Sequence, residues 1–315
     1  MSAPTLTPPP AAVPPPARPA VAYGRPIRPG EPAEALYVFS SACTIVALIC
    51  LWMLLQMVVL GRFSEARAQH LLYTEYRSQL ATETAPTGAL DYDGRPVVAG
   101  SPVALMSIPA LGLHDVVVVD GTASGNLLDG PGHLRTTPLP GNVGTSLVMG
   151  RSTTYGAPFG TITALRPRDS IRVVGAQGSV TYVVRDLRRA GDPIPPSPTG
   201  PRAGRLILAT AASTGTLSRL HPTDVVYVDA DTTKAFPSGP VYPAVPDAER
   251  AMQHDTGALP LLVLLLAFVA GLVLAVSVAR RRFRDALVWL VAAPVAIALA
   301  WAVTDQVMRL LPNLM

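Results

Sequence analysis

The sequence predicts an all-β extracytoplasmic domain, a closed barrel or sandwich, carried on three transmembrane helices. Three observations lead there. Only 15% of the residues are charged while 49% are hydrophobic, whereas a soluble globular chain carries about a quarter charged residues. The hydrophobic excess is concentrated in three long apolar runs. Between the first and second run, the pattern is one of short β-branched stretches broken by Gly and Pro, the signature of strands and turns.

Residues 1–34 are rich in proline and poor in large apolar side chains; such a segment cannot bury a core and reads as a disordered cytoplasmic tail. The first apolar run, residues 35–60, contains no charged residue and exceeds the roughly 20 residues that span a bilayer core. It is too long for the apolar part of a signal peptide and lies too far into the chain. The second run covers 258–279 and the third 286–304. Between them lies Arg-Arg-Arg-Phe-Arg-Asp, residues 280–285. A short loop this basic stays cytoplasmic, so residues 61–257 are expected outside the cell membrane and the protein is expected to be multi-pass. The excess of basic residues is thereby a topology signal; no basic and aromatic interleaving points to nucleic acid.

Residues 61–96 read as a juxtamembrane helix and linker. Leu71, Leu72, Tyr76 and Leu80 recur at helical spacing over 62–82, and the helix is expected to lead the chain off the bilayer. Over 97–232 the clearest strand runs are 114–120, 145–150, 170–175, 179–186, 205–210 and 223–231. No strand–helix alternation of a parallel sheet is visible. A polar, proline-bearing linker over 233–257 returns to the membrane. Both cysteines, Cys43 and Cys50, fall in the first apolar run, so the external part has neither a disulfide nor a thiol nucleophile.

Four stretches carry a family resemblance: SIPALGLHDVVVVDGT (107–122), LLDGPGHLRTTPLPGNVGTSLVMG (127–150), TTYGAPFGTITALRPRDSIRV (153–173) and RLILATA (205–211). In this order they resemble the sortases, the class E-like actinobacterial members in particular. The resemblance implies an eight-stranded sortase-like β-barrel and a cell-surface thiol transpeptidase ancestry, acting on a sorting signal such as LPXTG or LAXTG. It also implies where the chemistry would sit. The family's histidine follows a glycine, and here Gly150 is followed by Arg151. The family's cysteine closes a strand, and here Thr210 is followed by Ala211. Arg219 is a weak counterpart of the family's arginine.

A methyl group cannot form a thioester, and a guanidinium cannot move protons near neutral pH. The catalytic positions Arg151 and Ala211 are therefore degenerate. The expectation is an inactive sortase-like protein that binds a cell-surface protein or a sorting-signal-like peptide, with Arg151, Ser152, Tyr155 and His133 as candidates to line the groove. The competing reading is a working transpeptidase or hydrolase with displaced residues, such as Ser213 with His221. No cofactor and no metal are expected. Partners are the bilayer and a surface peptide or protein, and not nucleic acid.

Overall fold

The computed structural model describes residues 51–212, 224–279 and 283–315, all within one compact unit, Cys50–Met315. The tail at 1–34 and most of the first apolar run lie outside the described residues. So do Ser213, Arg219, His221 and Arg280–Arg282.

Eight strands form a closed barrel in the order β1–β2–β3–β4–β7–β8–β6–β5, with β5 returning to β1. They are β1 (Pro102–Ile108), β2 (Leu113–Asp120), β3 (Gly132–His133), β4 (Gly144–Met149), β5 (Ser170–Gly175), β6 (Gly178–Arg189), β7 (Gly204–Ala212) and β8 (Asp224–Thr232). Of these pairings, β2–β3 and β4–β7 are parallel and the rest antiparallel. The eight-stranded expectation is met, and the six runs read from sequence correspond to six of the strands.

The period-2 pattern explains the barrel. In β5, Ile171 and Val173 point inward while Ser170 and Arg172 point out; in β6, Val180, Tyr182 and Val184 point inward. Successive strand side chains alternate faces, so these residues meet Leu206 and Leu208 of β7 and Val228 and Ala230 of β8 in one interior core. Closure removes exposed sheet edges, which otherwise invite association.

Helix α1 (Gly61–Ala81) continues a helical stretch that includes a π-helical turn at Gln56–Leu60. It does not simply carry the chain away from a membrane: it lies against β1 and β2. Tyr76, Leu72 and Leu80 pack with Leu105 and Val117. Tyr76 donates to Val103 O at 2.9 Å, and Gln69 bonds both Val117 O and Val117 N–H. Leu71 is the exception in the predicted stripe, being 58% exposed.

Helices α2 (Leu259–Ala279) and α3 (Asp285–Arg309) pack against each other. Two helices among the described residues, not three, are long and apolar enough to cross a membrane. The predicted third run ends at 304, but α3 continues to Arg309, adding the polar residues Asp305, Gln306 and Arg309. Asp255 N–H donates to Arg309 O at 3.0 Å, so the start of α2 and the end of α3 lie side by side. The connecting segment is fixed to the barrel by Glu249, which pairs with Arg135 at 2.6 Å and is itself buried.

Candidate functional site

The site forms where two parallel strands end together. Met149 of β4 pairs with Ala209 of β7. One step on, Gly150 N–H donates to Ala209 O at 3.0 Å and Thr210 Oγ1 donates to Gly150 O at 2.8 Å. Arg151 and Ala211 therefore emerge from adjacent strand ends on one side of the barrel. The glycine has a packing reason: a Cβ at Gly150 would lie 2.5 Å from the Phe159 ring. Phe159 closes the loop after β4, donating its N–H to Arg151 O at 3.1 Å.

Arg151 is fully buried. Its Nη1 donates to Thr154 Oγ1 at 3.0 Å and Met315 O at 3.3 Å; its Nη2 donates to Ser124 Oγ at 2.8 Å and Ser124 O at 3.0 Å. None of the four acceptors is an Asp or Glu carboxylate, and Nε has no hydrogen-bond partner. The guanidinium also lies 5.8 Å from the centroid of the Tyr155 ring. Burial pulls its pKa down to about 10, with Tyr155 acting in the opposite direction, so it stays a cation at neutral pH. A buried charge is costly unless it is paired and hydrogen-bonded, which makes this arginine the most demanding group in the site.

Tyr155 and Ala157 adopt left-handed backbone conformations, with φ of 48° and 47°. Non-glycine residues in this region cost on the order of 1–3 kcal/mol and need support from their surroundings. Tyr155 has that support. Its ring lies against Gly61 of α1, and its hydroxyl donates to Asp305 Oδ1 of α3 at 2.7 Å. Burial, then the Asp305 contact, raises the phenol pKa, so it remains a donor.

The space in front of Arg151 and Ala211 is occupied by the chain itself. Residues 310–315, Leu-Leu-Pro-Asn-Leu-Met, follow α3 and run into the site. Leu314 O accepts from Ser152 N–H at 3.0 Å and Ser152 Oγ at 3.2 Å, and Met315 O accepts from Thr154 Oγ1 at 2.8 Å. Asn313 Nδ2 donates to Thr122 O at 2.8 Å and Arg250 O at 2.9 Å. The Leu314 side chain is buried in one cluster with Ala211, Ala209, Met149, Leu127 and Val225. Ala209 and Ala211 alternate with the interior Leu206 and Leu208, so this cluster lies on the outer face of β7.

Of the residues singled out from sequence, Arg151, Ser152, Tyr155 and Ala211 come together here. His133 stands apart, on β3. Its ring contacts Asp120 at 3.3 Å, Thr137 Oγ1 at 3.1 Å and Pro138 O at 3.0 Å, all within the barrel wall. Arg219, Ser213 and His221 lie outside the described residues. Sequence reasoning missed Ser124, Thr154, Asn313 and Leu314. The polar residues interrupting the end of an apolar helix, followed by Leu-Pro-Asn, were the available signal. An open cavity of about 790 Å³ lies elsewhere, lined by Arg185, Pro196, Asp231 and Lys234 among others. Among the described residues no group of three His, Cys, Asp or Glu side chains is placed to hold a metal ion.

Comparison with known proteins bears on this geometry. Residues 106–208, about a third of the chain, match the Sortase domain family. No curated protein matches. Among solved structures, a Sortase D5 transpeptidase of Clostridium perfringens is 18% identical, covering 52% of this chain and 97% of its own, at a TM-score of 0.41. Sortase E of Streptomyces avermitilis is 27% identical, covering 49% and 100%, at a TM-score of 0.33. Sortase C-1 of Actinomyces oris is 20% identical, covering 54% and 99%, at a TM-score of 0.34. The matched interval includes Arg151 and stops three residues before Ala211, and over that interval the barrel is a sortase-like domain.

Proposed function

We propose that this is a membrane-anchored, multi-pass protein whose sortase-like barrel, on the extracytoplasmic side, binds a peptide or protein without transpeptidation. Two apolar helices, α2 and α3, support membrane association. The observation that carries the reading of lost chemistry is the placement of Arg151 and Ala211, each two residues beyond the paired Met149 and Ala209 of β4 and β7. In the sortase pattern these are the histidine and cysteine positions. A nucleophile and a proton-transfer group act as a unit, and neither side chain here can fill its role. Arg151 can instead donate charge-assisted hydrogen bonds to peptide carbonyls or to an acidic group; two of its present acceptors, Ser124 O and Met315 O, are main-chain oxygens. A sorting-signal-like peptide on a cell-surface protein is the ligand class that the family match favours.

The full chain in detergent or nanodiscs, incubated with LPXTG- and LAXTG-type peptides, should yield neither cleavage nor a covalent adduct by mass spectrometry. An acyl-enzyme trapped on any residue would overturn the reading.

A further inference from the structure

We infer that residues 310–315 are a built-in occupant of the groove, competing in cis with a peptide ligand at Arg151 and Ala211; this rests on the peptide-binding reading above. Residues 312–315 form a turn, Met315 N–H donating to Pro312 O at 3.2 Å, and the segment makes the contacts a turn-forming peptide ligand would make. Its main chain is read by main-chain and hydroxyl donors, Ser152 N–H and Oγ to Leu314 O and Thr154 Oγ1 to Met315 O. One side chain, Leu314, fills the apolar surface over Ala211. Another, Asn313, fixes the register through Thr122 and Arg250. Arg151, buried and without an Asp or Glu partner, takes one of its four acceptors from this segment.

The groove side of each contact belongs to the barrel, its loops or the linker before α2, the last at Arg250 and Gln253, and the occupant side consists of consecutive residues beyond the last turn of α3. The segment can therefore leave without any strand moving. The ligand class follows from the same contacts: a turn-forming peptide with an apolar side chain opposite Ala211 and a small amide side chain one residue before it. A tethered occupant acts at an effective concentration on the order of millimolar, so a free peptide of equal quality is excluded while the segment is in place.

Two readouts on the full chain in nanodiscs test this, in a background with Cys43 and Cys50 replaced by alanine. The first is maleimide reactivity of Ala211→Cys, at a position only 4% exposed. The second is binding of a fluorescent peptide copying residues 310–315. With the segment intact, Cys labelling at 211 should be slow and peptide binding absent. Leu314→Asp should speed labelling and admit the peptide at least about tenfold more tightly, and Arg151→Ala in that variant should abolish the binding. Asn313→Ala supplies a milder release should Leu314→Asp fail to fold. Equal labelling with and without the release would overturn the inference, leaving sorting-peptide binding to its own assay. Faster labelling with no peptide binding would also overturn it, showing the segment to be a structural anchor of α3 only. Conversely, shielding and competition as described, with no sorting-type peptide bound by the released variant, would sink the ligand class proposed above and leave the cis occupant standing.

Discussion

Tyr155 Oη and Asp305 Oδ1 lie 2.7 Å apart, so a loop residue at the end of β4 is bonded to the last turns of α3. The same tyrosine touches α1 at Gly61. One side chain thus joins the barrel to two helices while its own backbone sits in the left-handed region. Tyr155→Phe keeps the packing and removes the bond. A hydrogen bond to a charged group contributes roughly 1.5–3 kcal/mol net, and thermal unfolding in detergent should show a loss of about that size. An unchanged melting temperature would mean that Asp305 is satisfied without the phenol.

Arg151→Lys should be destabilising despite keeping the charge. The guanidinium reaches Ser124, Thr154 and Met315 from two nitrogens in a fixed fork, and an ammonium cannot reproduce that geometry. Losing two or more charge-assisted bonds in a buried site should cost about 2–4 kcal/mol, read by denaturant unfolding. Arg151→Met, which removes the buried charge, should be no worse than lysine. A lysine variant as stable as the parent would contradict the fork.

Gly150→Ala should destabilise by about 1–3 kcal/mol through overpacking, because the new methyl meets the Phe159 ring. Adding Phe159→Leu should recover part of the loss, since the obstructing atoms belong to that ring. Strict additivity of the two substitutions would place the strain elsewhere.

Glu65 on α1 gives a pH signature. Burial, then the charge of Asp129, pushes its carboxyl up to about 7 from an ordinary 4.5. Burial also raises Asp129, with Arg309 opposing and Asp305 reinforcing the shift. A carboxyl whose folded pKa exceeds its unfolded one binds its proton more tightly in the folded state. Its contribution to stability is full below about pH 4.5, falls as pH rises, and is gone above about 7. The melting temperature should therefore decline across that window, and Glu65→Gln should flatten most of the decline while Asp129 retains a smaller part. A parent protein with no such slope would show that water reaches Glu65.

The topology expectation is tested in intact cells. Ser179→Cys, on an outward-facing position of β6, should react with an impermeant maleimide, whereas Phe283→Cys, 64% exposed beside the arginine-rich turn, should not. Labelling of the second position would refute a cytoplasmic turn.

The barrel was largely legible because its strands have strong local signals. Alternation in 170–175 and 179–186 and the Gly- and Pro-bounded runs around β4, β7 and β8 each specify a strand without reference to the rest. β3, two residues long, has no periodicity to detect, and β1 is apolar on both faces, so alternation is absent there. Motif order singles out Arg151 and Ala211, and each stands two residues beyond the paired Met149 and Ala209 of β4 and β7. Residues 310–315 were illegible for a physical reason. Their side-chain hydrogen bonds are with residues 63 to 191 positions away, and six residues have too few side chains to carry a pattern. His133 shows the converse: its motif placed it near the site, and only the side-chain direction towards Asp120 and Pro138 separates it.

The separation of Leu314 from Ser152, 162 residues along the chain, also sets an order of events. Contacts that close long loops are the slowest to form. Even Thr210 with Gly150 spans 60 residues, and the covering segment can settle only after that pair has aligned β4 with β7. Until that segment settles, the outer face of β4 and β7, with Met149, Ala209 and Ala211, is bare apolar surface. In that interval the molecule is most open to capture by a chaperone, or to sticking to another copy of itself.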